Sequence, residues 1–258
     1  MRKVVSRDGT TIAYEKAGDG PPVVLLGGGF RDHTVFTWLV PHMTQSCTTY
    51  IYDRRGRGES GDAPQYAIER EVEDIEALIA QAGGEAAVFG GSSGAILALE
   101  AAMAGVKMSK LALLEPPYRM PGFRRPPADF PVRLQALLDQ DKRGEAAQYF
   151  LAELVGFSQE EIDEWRASPM WASNEAMAHT LVYDTVLCGD GRLPVERLAR
   201  TDVETLVVYS DHTGDWLSAA AKATAAALPN GRGVELPGVW HKVPPEVLGP
   251  ALVEFFTA

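Results

Sequence analysis

One stretch constrains the fold more than any other: Ala86-Ala87-Val88-Phe89-Gly90-Gly91-Ser92-Ser93-Gly94-Ala95-Ile96-Leu97-Ala98-Leu99-Glu100. Its first four residues are apolar throughout, as in a strand buried on both faces, and the residues after Ser93 are small helix formers. Between them lies Gly90-x-Ser92-x-Gly94. A serine held on a strand-to-helix turn takes a strained backbone, and side chains two residues to either side would collide, so glycine is needed at both places. The helix that follows points its amino end, with its free N–H groups, at that serine, where developing negative charge is favoured. The neighbouring register, Gly91-x-Ser93-x-Ala95, is also sterically open. Ser92 has glycine on both sides and is preferred over Ser93.

The rest of the chain repeats the strand and helix alternation. Short β-rich runs fall at Thr11 to Glu15, Val23 to Leu26, Thr48 to Tyr52, Ala86 to Phe89 and Leu111 to Leu114. Arg70 to Gln81 carries Val72, Ile75, Leu78 and Ile79 on one helical face, and Gly83-Gly84 supplies the stop. This pattern predicts an α/β fold with a mostly parallel sheet covered by helices on both faces, and Val23 to Leu26 and Ala86 to Phe89 belong at its centre. From Pro116 the strand signals vanish and prolines cluster, and amphipathic helical stretches follow to about Arg200. That region, residues 116–200, reads as a helical lid inserted into a core of residues 1–115 and 201–258. Its aromatic and flexible members include Phe123, Phe130, Tyr149, Phe150, Phe157, Trp165, Met170, Trp171, Met177 and Tyr183, suited to packing the lid's own core or to lining an apolar pocket. Strands resume at Thr205 to Tyr209 and Val234 to Leu236, and a last helix runs from about Pro245 to Phe256.

Charge and cysteine content narrow the partners. With 24 Lys plus Arg against 35 Asp plus Glu, the net charge is -11, which opposes nucleic acid and anionic membrane surfaces. Cys47 and Cys188 are far apart and form no C-x-x-C pair, so neither a disulfide framework nor a cysteine zinc site is indicated, and a cytoplasmic location is the expectation. No apolar run of the length of a signal segment or a membrane span is visible.

The turn around Ser92, the Asp53-Arg54-Arg55-Gly56-Arg57-Gly58-Glu59-Ser60 loop and the closing Gly238-Val239-Trp240-His241 together resemble the α/β-hydrolase superfamily, and the resemblance spans essentially the whole chain. It implies an eight-stranded sheet and a nucleophile, acid, histidine order along the chain. Ser92 would be the nucleophile and His241, after the last strand, its base; His33, His42, His179 and His212 read as surface, packing or pocket-lining residues. The residue after the nucleophile, Ser93, would lend its N–H to an oxyanion hole. The second donor would come from Gly27-Gly28-Gly29-Phe30, where related proteins carry His-Gly; here Gly27 replaces the histidine and Gly29 is the donor. Three consecutive glycines allow close approach but leave the loop floppy unless packing fixes it.

The acid departs from the common pattern. Aligning Ser210 with the expected glycine puts Thr213 where a carboxylate should stand, with Asp211 and Asp215 flanking it. Haloalkane dehalogenases place the acid at the end of the preceding strand, which here is Glu115, pinned by Pro116. Glu115, Asp211 and Asp215 all remain candidates. Substrate contacts are expected from Phe30, Trp171, Tyr183 and Trp240.

Gly56 to Gly61 fits G-x-G-x-x-G, but helical periodicity begins only near Glu69, so a dinucleotide site is not supported. In the superfamily this loop is structural, with Asp53 and Arg55 tying turns together. The expectation is a serine hydrolase with no cofactor and no metal, acting on a small, largely apolar ester, lactone or thioester, with a small-molecule substrate as partner and a homodimer possible. A cofactor-free lyase, cyclase or oxygenase, or a non-catalytic ligand-binding protein, is the alternative on the same fold.

Overall fold

The computed structural model describes residues 1–258. Eight strands form one sheet: β1 (Arg2–Val5), β2 (Thr11–Ala17), β3 (Pro22–Leu26), β4 (Thr48–Tyr52), β5 (Ala86–Gly91), β6 (Met108–Leu114), β7 (Thr205–Ser210) and β8 (Gly231–Leu236). Their order is β1-β2-β4-β3-β5-β6-β7-β8, with β1 and β2 antiparallel and every pairing from β4 through β3 to β8 parallel. The two all-apolar runs, β3 and β5, lie side by side in the middle.

Burial alternates with the pleat, so each face of the sheet feeds a separate core. Val24, Leu26, Val88, Leu111, Leu113 and Val207 join one cluster; Val23, Leu25, Phe89, Ala112, Leu114, Leu206 and Val208 join the other. The first face is covered by α1 (Ile68–Gln81), through Val72, Ile75, Leu78 and Ile79, and by α2 (Ser93–Met103).

Between β6 and β7 the chain makes six helices: α3 (Phe130–Asp139), α4 (Arg143–Phe150), α5 (Gln159–Ala167), α6 (Trp171–Ala176), α7 (Leu181–Cys188) and α8 (Val195–Leu198). The end of α4 widens to π-helical geometry over Leu151–Val155. This insertion has its own core, in which Phe130, Leu134, Ala147, Phe150, Ile162 and Leu181 pack together with Phe30 from the loop after β3. After β7, α9 (Asp215–Ala227) adds Ala220, Ala221 and Ala225 to the first cluster. Finally α10 (Pro245–Thr257) covers the second face through Leu248, Leu252, Phe255 and Phe256. No helix is long and apolar enough to cross a membrane.

Candidate active site

The sheet brings Ser92, Glu115 and His241 to its carboxyl edge. Gly91 of β5 pairs with Leu114 of β6, so Ser92 and Glu115 each stand one residue past a paired position, on strands about 5 Å apart. The Ser92 N–H donates to the Leu114 carbonyl at 2.9 Å, and the Glu115 N–H to the Val208 carbonyl at 3.0 Å. Three neighbouring strand ends are thereby locked in register.

Ser92 caps the start of α2 with φ 55° and ψ -127°, far from ordinary strand or helix values. The glycines around it are fixed by space. A Cβ on Gly90 would run into the Gly94 carbonyl, and one on Gly94 would lie 2.6 Å from the Leu26 oxygen and 2.7 Å from the Gly27 oxygen. Five of the six non-glycine residues with positive φ belong to this edge: Phe30, Ser92, Glu115, Trp240 and His241, the sixth being Asp141 in a turn of the insertion. Strain of this kind costs about 1–3 kcal/mol per residue and persists only where the surroundings impose it, so its concentration here makes this edge the candidate site.

Glu115 is fully buried. One carboxylate oxygen accepts from the Ser210 N–H at 2.9 Å and the Ser210 hydroxyl at 2.5 Å; the other accepts from the His241 N–H at 2.7 Å. The His241 ring places Nδ1 at 2.6 Å from the same second oxygen, with its N–H axis turned off the line between them. Burial alone would raise the Glu115 carboxyl, but the bonds from His241 and Ser210 outweigh it and hold it down to about 2. It is therefore an anion at neutral pH, aimed at the imidazole. Asp211 is engaged elsewhere, with His212 Nδ1 at 2.8 Å and the Gly238 N–H at 2.9 Å, and Asp215 begins α9. Of the three carboxylates, only Glu115 meets His241. Ser92 and His241 make no hydrogen bond with each other.

The two neighbouring serines have different surroundings. Ser92 is half-buried, while Ser93 is buried and its hydroxyl donates to Asp184 Oδ1 at 2.7 Å. Asp184, from α7, is the hub of a sealed ionic cluster: Arg57 Nη2 reaches Oδ2 at 2.7 Å and Arg54 Nη1 reaches Oδ1 at 2.9 Å, while Arg54 also grips Glu71 at 2.6 and 2.7 Å. Burial would push the Asp184 carboxyl up, yet Arg57 and Arg54 prevail and hold it below the ordinary range. Arg57 Nη1 in turn donates to the Gly28 carbonyl at 2.6 Å. Gly28 lies against the Ser92 side chain: a Cβ there would come within 2.8 Å of Ser92 Cβ and 3.2 Å of its Oγ. Gly29, next in line, has an N–H that makes no hydrogen bond, and Ser93 opens α2, where no intrahelical acceptor exists for its N–H.

The loop from Asp53 to Ser60 is tied down as its structural role requires. Asp53 accepts from the His33 and Glu59 N–H groups at 2.7 and 2.8 Å, and Arg55 makes a two-pronged pair with Asp74 at 2.7 and 2.8 Å. The helix after this loop starts only at Ile68.

Three of the four residues expected to touch substrate are engaged by neighbouring side chains. Phe30 is buried and meets Phe150 edge-on at 5.5 Å, anchoring the loop after β3 to the insertion. Trp171 packs against the insertion's own core. Tyr183 stacks on Tyr66 at 4.3 Å and donates to Asp62 at 2.7 Å, contacts made with the loop after β4. The fourth, Trp240, stands beside His241 with ring centroids 5.1 Å apart. It is joined by Phe157 at 5.5 Å, one of the rings suited to a pocket, and by Trp216 at 5.8 Å, which was not expected there, and Phe157 continues to Trp165 at 5.6 Å. Ser210, Arg57 and Asp184 were likewise absent from the sequence expectation as site residues. A serine ending a strand beside a buried carboxylate was the one available signal for Ser210.

The model of the alpha/beta hydrolase family matches residues 23–248. An alpha/beta hydrolase from Sphaerobacter thermophilus DSM 20745 has a similar structure, with a TM-score of 0.96 at 45% identity over 99% of this chain and 100% of that one. Among curated proteins, the uncharacterized hydrolase YraK of Bacillus subtilis (strain 168) is 36% identical over 96 residues, 36% of this chain and 35% of its own. N-formylmaleamate deformylase of Pseudomonas putida is 30% identical over 132 residues, 49% of each chain. The chain thus matches between a third and a half of the length of these curated relatives. Because the family match runs from β3 into α10 and takes in every strand that carries a site residue, the chain belongs to the alpha/beta hydrolase family.

Proposed function

We propose that this protein is a serine hydrolase acting on a small ester, lactone, thioester or related acyl compound. The observation that carries this reading is the buried Glu115 carboxylate in contact with His241 by both backbone and ring, one strand over from the strained Ser92. In the first step Ser92 Oγ bonds to the acyl carbon while His241 Nε2 takes the hydroxyl proton. The bond to the leaving group then breaks and His241 returns that proton to it. Water repeats the sequence on the acyl-enzyme, releasing the acid and restoring the serine. Glu115 stabilises the imidazolium formed in each half, and the Gly29 and Ser93 N–H groups receive the negative charge that develops on the carbonyl oxygen. Ser92 and His241 close to hydrogen-bond distance when substrate is bound, as catalytic pairs commonly do. The helices between β6 and β7 act as the lid, and Trp240, Phe157 and Trp216 form the apolar wall beside the imidazole. Similarity to a deformylase and to two other proteins named as hydrolases supports acyl-bond cleavage. The test is covalent labelling by a fluorophosphonate, with the adduct located by mass spectrometry, alongside turnover of p-nitrophenyl butyrate. An adduct on Ser92 together with turnover is expected; folded protein that neither labels nor turns over would overturn the reading.

A further inference from the structure

The fully buried cations in this acidic chain have anionic partners, and of the half-buried ones a single arginine close to the site has no oxygen acceptor. Arg54, Arg55 and Arg57 are each sealed from solvent and each meets a carboxylate. The arginines with no carboxylate in reach are Arg2, Arg31, Arg119, Arg125, Arg200 and Arg232; four of them are exposed, where water suffices, while Arg31 and Arg119 are half-buried. Arg119 is satisfied in another way. Its Nη2 donates to the Leu154 carbonyl at 2.5 Å, at the end of the α4 extension, and its guanidinium lies 3.3 Å over the Trp216 ring. Arg31 remains. Its one side-chain hydrogen-bond partner is the Met170 sulfur, 3.9 Å from Nη1, and its guanidinium sits 5.6 Å above Trp165.

A guanidinium offers five donors and cannot discharge itself by losing a proton, so leaving it half out of water without an oxygen acceptor is costly. Burial already pulls its pKa down, against the pull of Asp32. The Asp32 carboxylate is turned to the Thr34 N–H and hydroxyl, at 2.9 and 2.6 Å. Arg31 Nε and Nη2, which have no partner, are not sealed from solvent and can receive a ligand.

Its position relates it to the chemistry. Arg31 follows Gly29 and Phe30 directly, and its carbonyl is held by Arg57 Nη1 at 3.3 Å, the same nitrogen that fixes Gly28. On the far side of the guanidinium, the rings Trp165, Phe157, Trp240 and His241 follow one another at 5.1 to 5.6 Å. Arg31 therefore stands at the seam between the oxyanion loop and the lid, at one end of the aromatic wall whose other end is the imidazole.

We propose that Arg31 binds a carboxylate carried by the substrate, so that the preferred substrates are acyl compounds bearing one negative charge a few bonds from the scissile carbonyl. The proposal rests on the serine hydrolase reading and narrows it. A monoanion is favoured over a phosphate dianion because Arg31 is a single cation with no second basic group beside it. The aromatic wall receives the intervening apolar part of the substrate, and the guanidinium, stacked on Trp165, holds the charge in a planar fork.

The test compares mono-p-nitrophenyl glutarate with p-nitrophenyl valerate, which replaces the carboxylate by a methyl group, for wild type, Arg31→Gln and Arg31→Lys. The wild-type kcat/KM is expected to favour the glutarate by about 10- to 100-fold, the range of a charge-assisted hydrogen bond. In Arg31→Gln this ratio falls to about one, chiefly through KM, and Arg31→Lys retains an intermediate ratio. Rising salt also erodes the wild-type ratio, a measure that needs no variant should Arg31→Gln fail to fold. A wild-type ratio of one or less, or a ratio unchanged in Arg31→Gln, overturns the assignment of Arg31 while valerate turnover leaves the hydrolase reading standing. If wild type cleaves neither ester and does not label, both fall.

Discussion

Arg57 donates from Nη1 to the Gly28 carbonyl at 2.6 Å and from Nη2 to Asp184 at 2.7 Å, so a carboxylate of α7 fixes a peptide of the glycine loop. A trans peptide points its C=O and the following N–H in opposite directions, and holding the Gly28 oxygen therefore aims the Gly29 N–H away from Arg57. The conformational freedom that successive glycines give the loop is restricted by this bond at the Gly28–Gly29 peptide. Asp184 also accepts from the Ser93 hydroxyl. Both proposed oxyanion donors are thus referenced to one buried anion.

Arg57→Lys keeps a positive charge near Asp184 but cannot span both partners. We expect kcat to fall by roughly 10- to 100-fold with KM little changed, somewhat less than the roughly 100- to 1000-fold loss of a whole oxyanion donor. Thermal midpoints measured on the same samples separate this effect from loss of fold. An unchanged kcat in a folded variant would show that the peptide needs no support from Arg57.

The two adjacent serines give opposite expectations. Ser92→Ala should abolish fluorophosphonate labelling and lower kcat by at least about 1000-fold, since the nucleophile itself is gone. Ser93→Ala retains the backbone N–H and loses only the bond to Asp184, a cost of about 1–3 kcal/mol in stability. It should still label at residue 92. Labelling lost in Ser93→Ala but kept in Ser92→Ala would reverse the assignment.

Glu115 makes a pH-dependent contribution to stability whose sign follows from its lowered pKa. A carboxyl depressed on folding from 4.5 to about 2 stabilises the native state fully above 4.5, and that contribution is lost as pH falls toward 2. Its size is on the order of 3 kcal/mol. Glu115→Gln should accordingly be least stable relative to wild type near neutrality, with the gap narrowing below pH 4.5 in denaturant titrations. Its kcat should fall by roughly 1000-fold, as the imidazolium loses its counter-charge. A stability gap constant from pH 7 to pH 3 would contradict the ionised, hydrogen-bonded state of Glu115.

What was legible in the sequence was local. Gly90, Ser92 and Gly94 announce the turn because their constraint acts within five residues, and Pro116 marks Glu115 as a strand end for the same reason. The paired centre of the sheet was readable from the unbroken apolar runs of β3 and β5. By contrast β1 is short, mostly exposed and stabilised by pairing with β2, so its own residues give no strand signal. Arg57 and Asp184 lie 127 positions apart, and nothing near either one indicates that they neutralise each other. The aromatic residues were less legible for a related reason. Whether Phe30, Trp171 or Tyr183 faces a ligand or a neighbouring ring depends on how the lid docks, and composition is the same in both cases.

Gly28 offers the narrowest probe of the space around Ser92. Its φ is not positive, so alanine is accommodated by the backbone, yet the added Cβ would press within 2.8 Å of Ser92 Cβ and 3.2 Å of Oγ. Gly28→Ala should thus fold with a stability loss of about 1–3 kcal/mol, typical of overpacking, while labelling and kcat drop by roughly 100-fold because the nucleophile is pushed off its line. Gly84 serves as the reference: an added Cβ meets nothing there, and only the positive φ of 96° is strained, so Gly84→Ala should lower stability by a comparable amount with kcat intact. Equal kcat in the two variants would mean that Ser92 does not act from the position it occupies beside Gly28.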